Sequence, residues 1–325
     1  MPSFTCFPFA PAAYLPLRDR ALLDRLTDID LNEQQGRRFE CPDFELKVCV
    51  DVCNTFALDL YCRIRQSDAA DKKLVLLLPS PENAAYASLA EAMNVSRVSA
   101  RNVHVFFLSE YANDEGDVAP WQSPYSRAGQ FMRFFYERLD ESLRMPMEQL
   151  HFWTRENVAQ YSDLLAAEGG ADVAYTSLSW SGGIGAIDAE SFPAETMDEF
   201  LSMGSRLVTP MPETITQDSM RGLFGCSGDI GNVPPRAATV GPRDLVAARE
   251  RVDIEYLVGV GGSPAWQKYP LRLSLFAPVS PKNPGSLLRL YPGVCYVAQV
   301  IADRGAYKPD NLWLAETIET LRREE

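Results

Sequence analysis

Lys73-Leu-Val-Leu-Leu-Leu78 is the stretch that leaves the chain least choice. Five large apolar residues in a row can all be buried only if both faces of a strand are covered. That is the situation of an interior strand in a parallel sheet with helices on each side. Val103–Leu108 and Val173–Leu178 read the same way, and Ala84–Met93 between the first two has a helical pattern. Earlier, Phe44, Leu46, Val48, Val50 and Val52 alternate with polar or small residues, the period of a half-buried strand. Asn54 or Thr55 is expected to cap the helix that follows, with Phe56, Leu60 and Ile64 on one face.

The alternation continues through helix Ser126–Leu139, strand Gln149–Trp153, helix Glu156–Ala167, helix Pro242–Arg249, strand Ile254–Gly259, strand Val294–Val300 and a C-terminal helix, Asn311–Arg323. Residues 193–236 read as irregular, and the aromatic run Phe131–Tyr136 as core. Strands alternating with helices predict an α/β fold, a doubly wound, mostly parallel sheet flanked by helices. Residues 1–43 form an N-terminal extension with a helix near Leu15–Leu26, and residues 44–325 form the α/β domain.

Two glycine-rich breaks interrupt this pattern. Ser181-Gly-Gly-Ile-Gly185 follows the strand Val173–Leu178, and Gly259-Val-Gly-Gly-Ser-Pro264 follows the later one. In open α/β sheets, ligands sit in the crevice outside the carboxyl ends of the strands. Glycine there lets backbone amides approach a ligand. An ordinary tight turn has the same composition, so the breaks mark candidate sites and no more.

Charge narrows the partners. Lysine and arginine number 31 against 44 aspartates and glutamates, a net charge of −13. Such a surface repels nucleic acid and anionic membranes, and it disfavours a dianionic ligand without a local cluster of cations. The seven cysteines form no CxxC pair, which argues for reduced thiols rather than structural zinc. His104 and His151, the two histidines, lie away from strand ends and read as structural. No cofactor or metal is indicated. The N-terminal stretch is apolar but lacks the basic start of a signal peptide, and no apolar run is long enough to span a membrane. The expectation is a cytoplasmic protein whose partner is a small molecule, with homo-oligomer formation left open.

Several segments, in order, resemble the glucosamine-6-phosphate isomerase/deaminase family, which is related to 6-phosphogluconolactonase. Phe106-Phe-Leu-Ser-Glu-Tyr111 resembles its strand ending Asp-Glu-Tyr, and Ser126-Arg127 its Ser-Tyr-Arg helix. Ser181–Asp188 stands where the family has Asp-Gly-His-Ile-Ala-Phe-Asn-Glu. Gly228-Asp-Ile-Gly-Asn-Val-Pro234 with Thr239-Val-Gly241 is the most specific match, and Ser286–Pro292 resembles its Ser-Ala-Leu-Gln-Leu-His-Pro. The resemblance implies a ligand site at the strand carboxyl ends, and a carbohydrate or related small molecule as ligand.

The same resemblance implies that the chemistry has changed. The family's carboxylate base becomes Ser109, and its His and Asp partner become Gly183 and Ser181. Asp188, or Glu190 in a shifted register, keeps an acid near the family's Glu. The phosphate loop becomes Ser80-Pro81-Glu82-Asn83, which loses an N–H donor at Pro81 and gains an anion. The phosphate arginine aligns with Met220, beside Arg221, and the phosphate lysine with Pro264.

Catalytic candidates are therefore Glu110, Asp188, Ser109 and Ser181. Ligand-binding candidates are Ser80, Asn83, Arg127, Gly182, Gly183, Arg221, Gly261, Gly262 and Ser263. Two readings follow: a sugar-binding pseudoenzyme, or a diverged isomerase, deaminase or lactonase using Glu110 and Asp188 as acid and base. Glu110 also has a purely structural alternative, as a cap on backbone amides.

Overall fold

Leu74–Leu78 is a strand with every residue buried, and it lies inside a seven-stranded sheet. Each such leucine contributes about 1.5–3 kcal/mol by leaving water, so this strand is a large part of what holds the core. The computed structural model describes residues 9–13, 15–79, 83–220, 222–225, 227–255 and 267–303. Its elements open with α1 (Arg20–Thr27), β1 (Phe44–Cys49), α2 (Val52–Ala70), β2 (Leu74–Leu78), α3 (Asn83–Ser96), β3 (Val103–Phe107) and β4 (Ser109–Ala112). Then come α4 (Arg127–Phe134), β5 (Leu150–His151), α5 (Tyr161–Ala167), β6 (Val173–Thr176), α6 (Met197–Ser202), β7 (Arg206–Val208) and α7 (Pro212–Ser219). The last are β8 (Arg236–Thr239), α8 (Pro242–Ala247), β9 (Glu250–Glu255), α9 (Lys268–Phe276), β10 (Gly293–Ala298) and α10 (Gln299–Ala302).

The large sheet has the order β1-β10-β9-β6-β2-β3-β5, and every neighbouring pair is parallel. Helices cover it, as the unbroken apolar strands require. Phe56 of α2, Tyr86 of α3, Phe131 of α4 and Tyr175 of β6 pack edge to face in one aromatic cluster, which places the predicted aromatic run in the core. On the N-terminal side, Leu22 and Leu26 of α1 pack against Leu273 and Ala277, so α1 is seated on α9.

Two expectations need correction, and one strand is added to those expected. Val50 is 99% exposed, because the strand ends at Cys49 and Asp51 caps α2, accepting a hydrogen bond from Asn54 N at 2.9 Å. Beyond the expected strand Val103–Leu108, Ser109–Ala112 is a further strand. It forms a second, antiparallel sheet in the order β4-β8-β7, with Ser109 opposite Thr239. Residues 193–236, expected to be irregular, contain α6, β7 and α7. The predicted C-terminal helix lies outside the described residues.

Candidate functional site

The carboxyl ends of β3 and β6 meet through the glycine loop. Leu178 bridges to Ile184, and a Cβ placed on Gly185 would stand 2.9 Å from Leu108 Cδ2 and 3.8 Å from Ser109 Oγ. Ser109 is thus beside the Ser181–Asp188 segment, as expected from the order of the motifs. Gly182 has φ +79°, a conformation that glycine adopts without strain, and its carbonyl accepts the Gly285 amide at 2.9 Å.

Gly183 is filled from outside. An added Cβ would lie 2.4 Å from Asp188 Oδ1 and 2.6 Å from the Ile187 carbonyl. The loop has closed over the place that a histidine side chain would need.

Asp188 is fully buried, and its carboxylate accepts from Ser181 Oγ at 2.5 Å, Met211 N at 3.1 Å and Thr214 Oγ1 at 3.1 Å. Burial pushes its carboxyl upward from the usual range, while these donors pull it back. Ser181 also meets Ser179 Oγ at 2.7 Å.

Glu110 is 1% exposed and accepts four hydrogen bonds: from Tyr111 N, Arg127 N and Ala128 N, each at 2.9 Å, and from Ser126 Oγ at 2.6 Å. It clasps the first turn of α4, where amides lack helical partners and a negative charge is favoured. Burial raises its pKa against the pull of those four donors. Glu110 and Asp188 share no partner, and neither presents a free oxygen to a common space.

Arg127 is bound to Asp218 at 2.6 Å, with its guanidinium 4.3 Å above the Tyr111 ring, so its charge is already neutralised. Asn83 opens α3, and its buried Oδ1 has no hydrogen-bond partner among the described residues. Ser80, Arg221, Gly261, Gly262 and Ser263 lie outside the described residues. At the mouth, Leu15, Pro16 and Leu17 lie against Trp180, Ser181 and Met211 around a cavity of about 30 Å³. That volume takes a few waters, whereas small-molecule pockets run to about 300 Å³ or more.

The sequence reading missed one pair of acids. Asp253 and Glu255, alternate residues of β9, are 1% and 0% exposed. Asp253 accepts from Thr176 Oγ1 at 2.8 Å, and Glu255 from Leu178 N at 2.8 Å. Burial raises both, Glu255 strongly with help from the Asp253 charge. The available signal was Glu250-Arg-Val-Asp-Ile-Glu255 itself, a strand pattern with acids at alternate positions next to a strand buried on both faces.

No family model and no curated protein matches this sequence. Solved structures do match it. A monomeric glucosamine-6-phosphate deaminase superposes with TM-score 0.63 at 17% identity, over 79% of this chain and 98% of the other. The 6-phosphogluconolactonase of Thermotoga maritima gives 0.52 at 14%, over 78% and 99%. That of Trypanosoma brucei gives 0.54 at 15%, over 79% and 97%. The resemblance read from the motifs is therefore borne out at the level of architecture: this chain has the fold shared by glucosamine-6-phosphate deaminase and the 6-phosphogluconolactonases.

Proposed function

We propose that this protein is a sugar-binding member of that fold without the deaminase chemistry. The observation that carries the reading is Gly183, where the Asp188 carboxylate sits at 2.4 Å from any Cβ. Ring opening needs an imidazole there, and the loop excludes one. The remaining acids support the same view, because Glu110 and Asp188 spend their oxygens on backbone amides and hydroxyls. Neutral hydrogen-bonding groups remain at the strand ends, Ser109 and the orphaned Asn83 Oδ1 among them. They suit hydroxyl groups of a neutral sugar or polyol, entering where residues 15–17 now close the mouth. An acid–base group typically supplies 10²–10⁴-fold, and here base and imidazole are lost together. Purified protein is expected to release no ammonia from glucosamine 6-phosphate above the uncatalysed rate. Turnover near 10 per second, ordinary for enzymes, would refute the reading.

A further inference from the structure

The structure brings its two histidines together on the neighbouring strands β3 and β5, with ring centroids 5.8 Å apart. His104 is the second residue of β3, His151 ends β5, and Glu168 follows α5 on the way into β6. One nitrogen from each imidazole and one Glu168 oxygen all lie within 4.8 Å of one another. His104 Nδ1 stands 3.4 Å from Glu168 Oε2. Among the described residues two buried nitrogens make no hydrogen bond: His151 Nε2, and His104 Nδ1, which faces the Glu168 carboxylate without bonding it. Buried donors and acceptors are normally paired, so packing alone does not account for His151 Nε2 beside this carboxylate.

We propose that His104, His151 and Glu168 form a site for a divalent transition-metal ion, zinc foremost, with its fourth position open to water. Imidazole nitrogen and carboxylate oxygen are the ligands zinc takes, at about 2.0–2.2 Å, which makes a tetrahedral edge about 3.3 Å. The His104–Glu168 separation already has that length. His151 must close the remaining gap by turning out of its stack on Phe106, where the ring centroids are 3.9 Å apart. The His104 and Glu168 side chains are 18% and 27% exposed, so an ion can reach them from solvent. The net charge of −13 favours its approach. Lys73 is the built-in competitor: its ammonium group bonds the Glu168 carbonyl at 2.8 Å and Oε2 at 3.1 Å. The bound ion would tie β3, β5 and the end of α5 into one unit. This inference does not depend on the sugar site.

The test is a titration of the full chain, stripped with chelator, with Co²⁺ by visible absorption and with Zn²⁺ by thermal shift. The expected result is saturable binding with cobalt bands of a nitrogen and oxygen site. His104→Gln, His151→Gln and Glu168→Gln should each weaken it by about tenfold or more, while melting near wild type without metal. Lys73→Gln should tighten it. A thiolate charge-transfer band would place the ion on cysteines and overturn the proposal. So would the lack of a saturable response at millimolar metal, unchanged affinity in His151→Gln, or loss of binding in Lys73→Gln.

Discussion

Gly183 shows how one residue can decide which side chains a loop admits. Its φ is ordinary, so backbone strain is not the issue, and the restriction is contact alone. A methyl group there would meet Asp188 Oδ1 at 2.4 Å, the Ile187 carbonyl at 2.6 Å and Ser179 Oγ at 3.2 Å. Two of these atoms are a fixed carboxylate and a backbone oxygen, which cannot swing away as a flexible side chain would. Gly183→Ala should therefore destabilise by about 1–3 kcal/mol, the usual cost of overpacking. Gly231→Ala is the control, since the nearest atom there is Asp229 Oδ1 at 3.5 Å. Denaturant unfolding of both variants gives the comparison. Losses equal within about 0.5 kcal/mol, the ordinary surface range, would mean the loop yields easily, and then Gly183→His could regain a histidine site. As drawn, that variant is expected to be destabilised and inactive.

Strand β9 carries its acids into the middle of the sheet, and pH should reveal it. In the unfolded chain Asp253 and Glu255 ionise near pH 4; in the folded chain burial raises both, Glu255 well above the usual range. The folded state thus holds more protons across that window, and stability is fully present below about pH 4 and declines as pH rises through the folded values. The slope is about 1.4 kcal/mol per pH unit for each proton retained. Wild type should lose stability between pH 5 and pH 8 by more than Glu255→Gln, in which the amide keeps its shape without the charge. Parallel curves for the two proteins would mean that Glu255 is ionised in the fold. The same strand marks a limit of sequence reading. β2 was legible because its residues are apolar throughout, whereas β9 was expected at Ile254–Gly259 and begins at Glu250, because acids disguise its start. Strand β4 was missed for another reason: its partner β8 lies more than a hundred residues away, and no local pattern records such pairing. At the candidate site, motif order put Ser109 near the Ser181–Asp188 segment, and Gly185 of that segment does face it. The alternative of Glu110 as a cap on backbone amides was legible and matches its hydrogen bonds, whereas the tie of Asp188 to Met211 and Thr214 was not, because those donors lie 23 and 26 residues further along the chain.

Across the whole molecule, positive charge is scarce and the buried share of it is committed to the fold. Arg272 donates to the carbonyls of Ile29, Ile301, Ala302 and Asp303, and Arg251 to those of Leu245, Val246 and Ala248. Arg289 holds Ser274 and Ala277 carbonyls and pairs with Glu40. Arg127 is neutralised by Asp218. None of these can turn to a phosphate without breaking the core, and the net charge of −13 repels one at longer range. A neutral sugar or polyol is therefore expected to stabilise the protein more than its 6-phosphate ester. Arg221, outside the described residues, is the group that could reverse this. A charge-assisted hydrogen bond from it is worth about 1.5–3 kcal/mol. A carboxylate about 4 Å from a phosphate at an effective dielectric near 20 opposes it by about 4 kcal/mol per unit charge, and Glu82, outside the described residues, falls in the sequence where the resemblance implies a phosphate loop. Matched sugars and sugar phosphates, compared by thermal shift at low and moderate salt, separate the cases. A ligand at about 100 times its Kd should add about 2.7 kcal/mol of stability, well within reach of the measurement. Saturable stabilisation by the phosphates alone, lost in Arg221→Ala, would overturn the neutral-ligand reading and return the cleft to sugar phosphates.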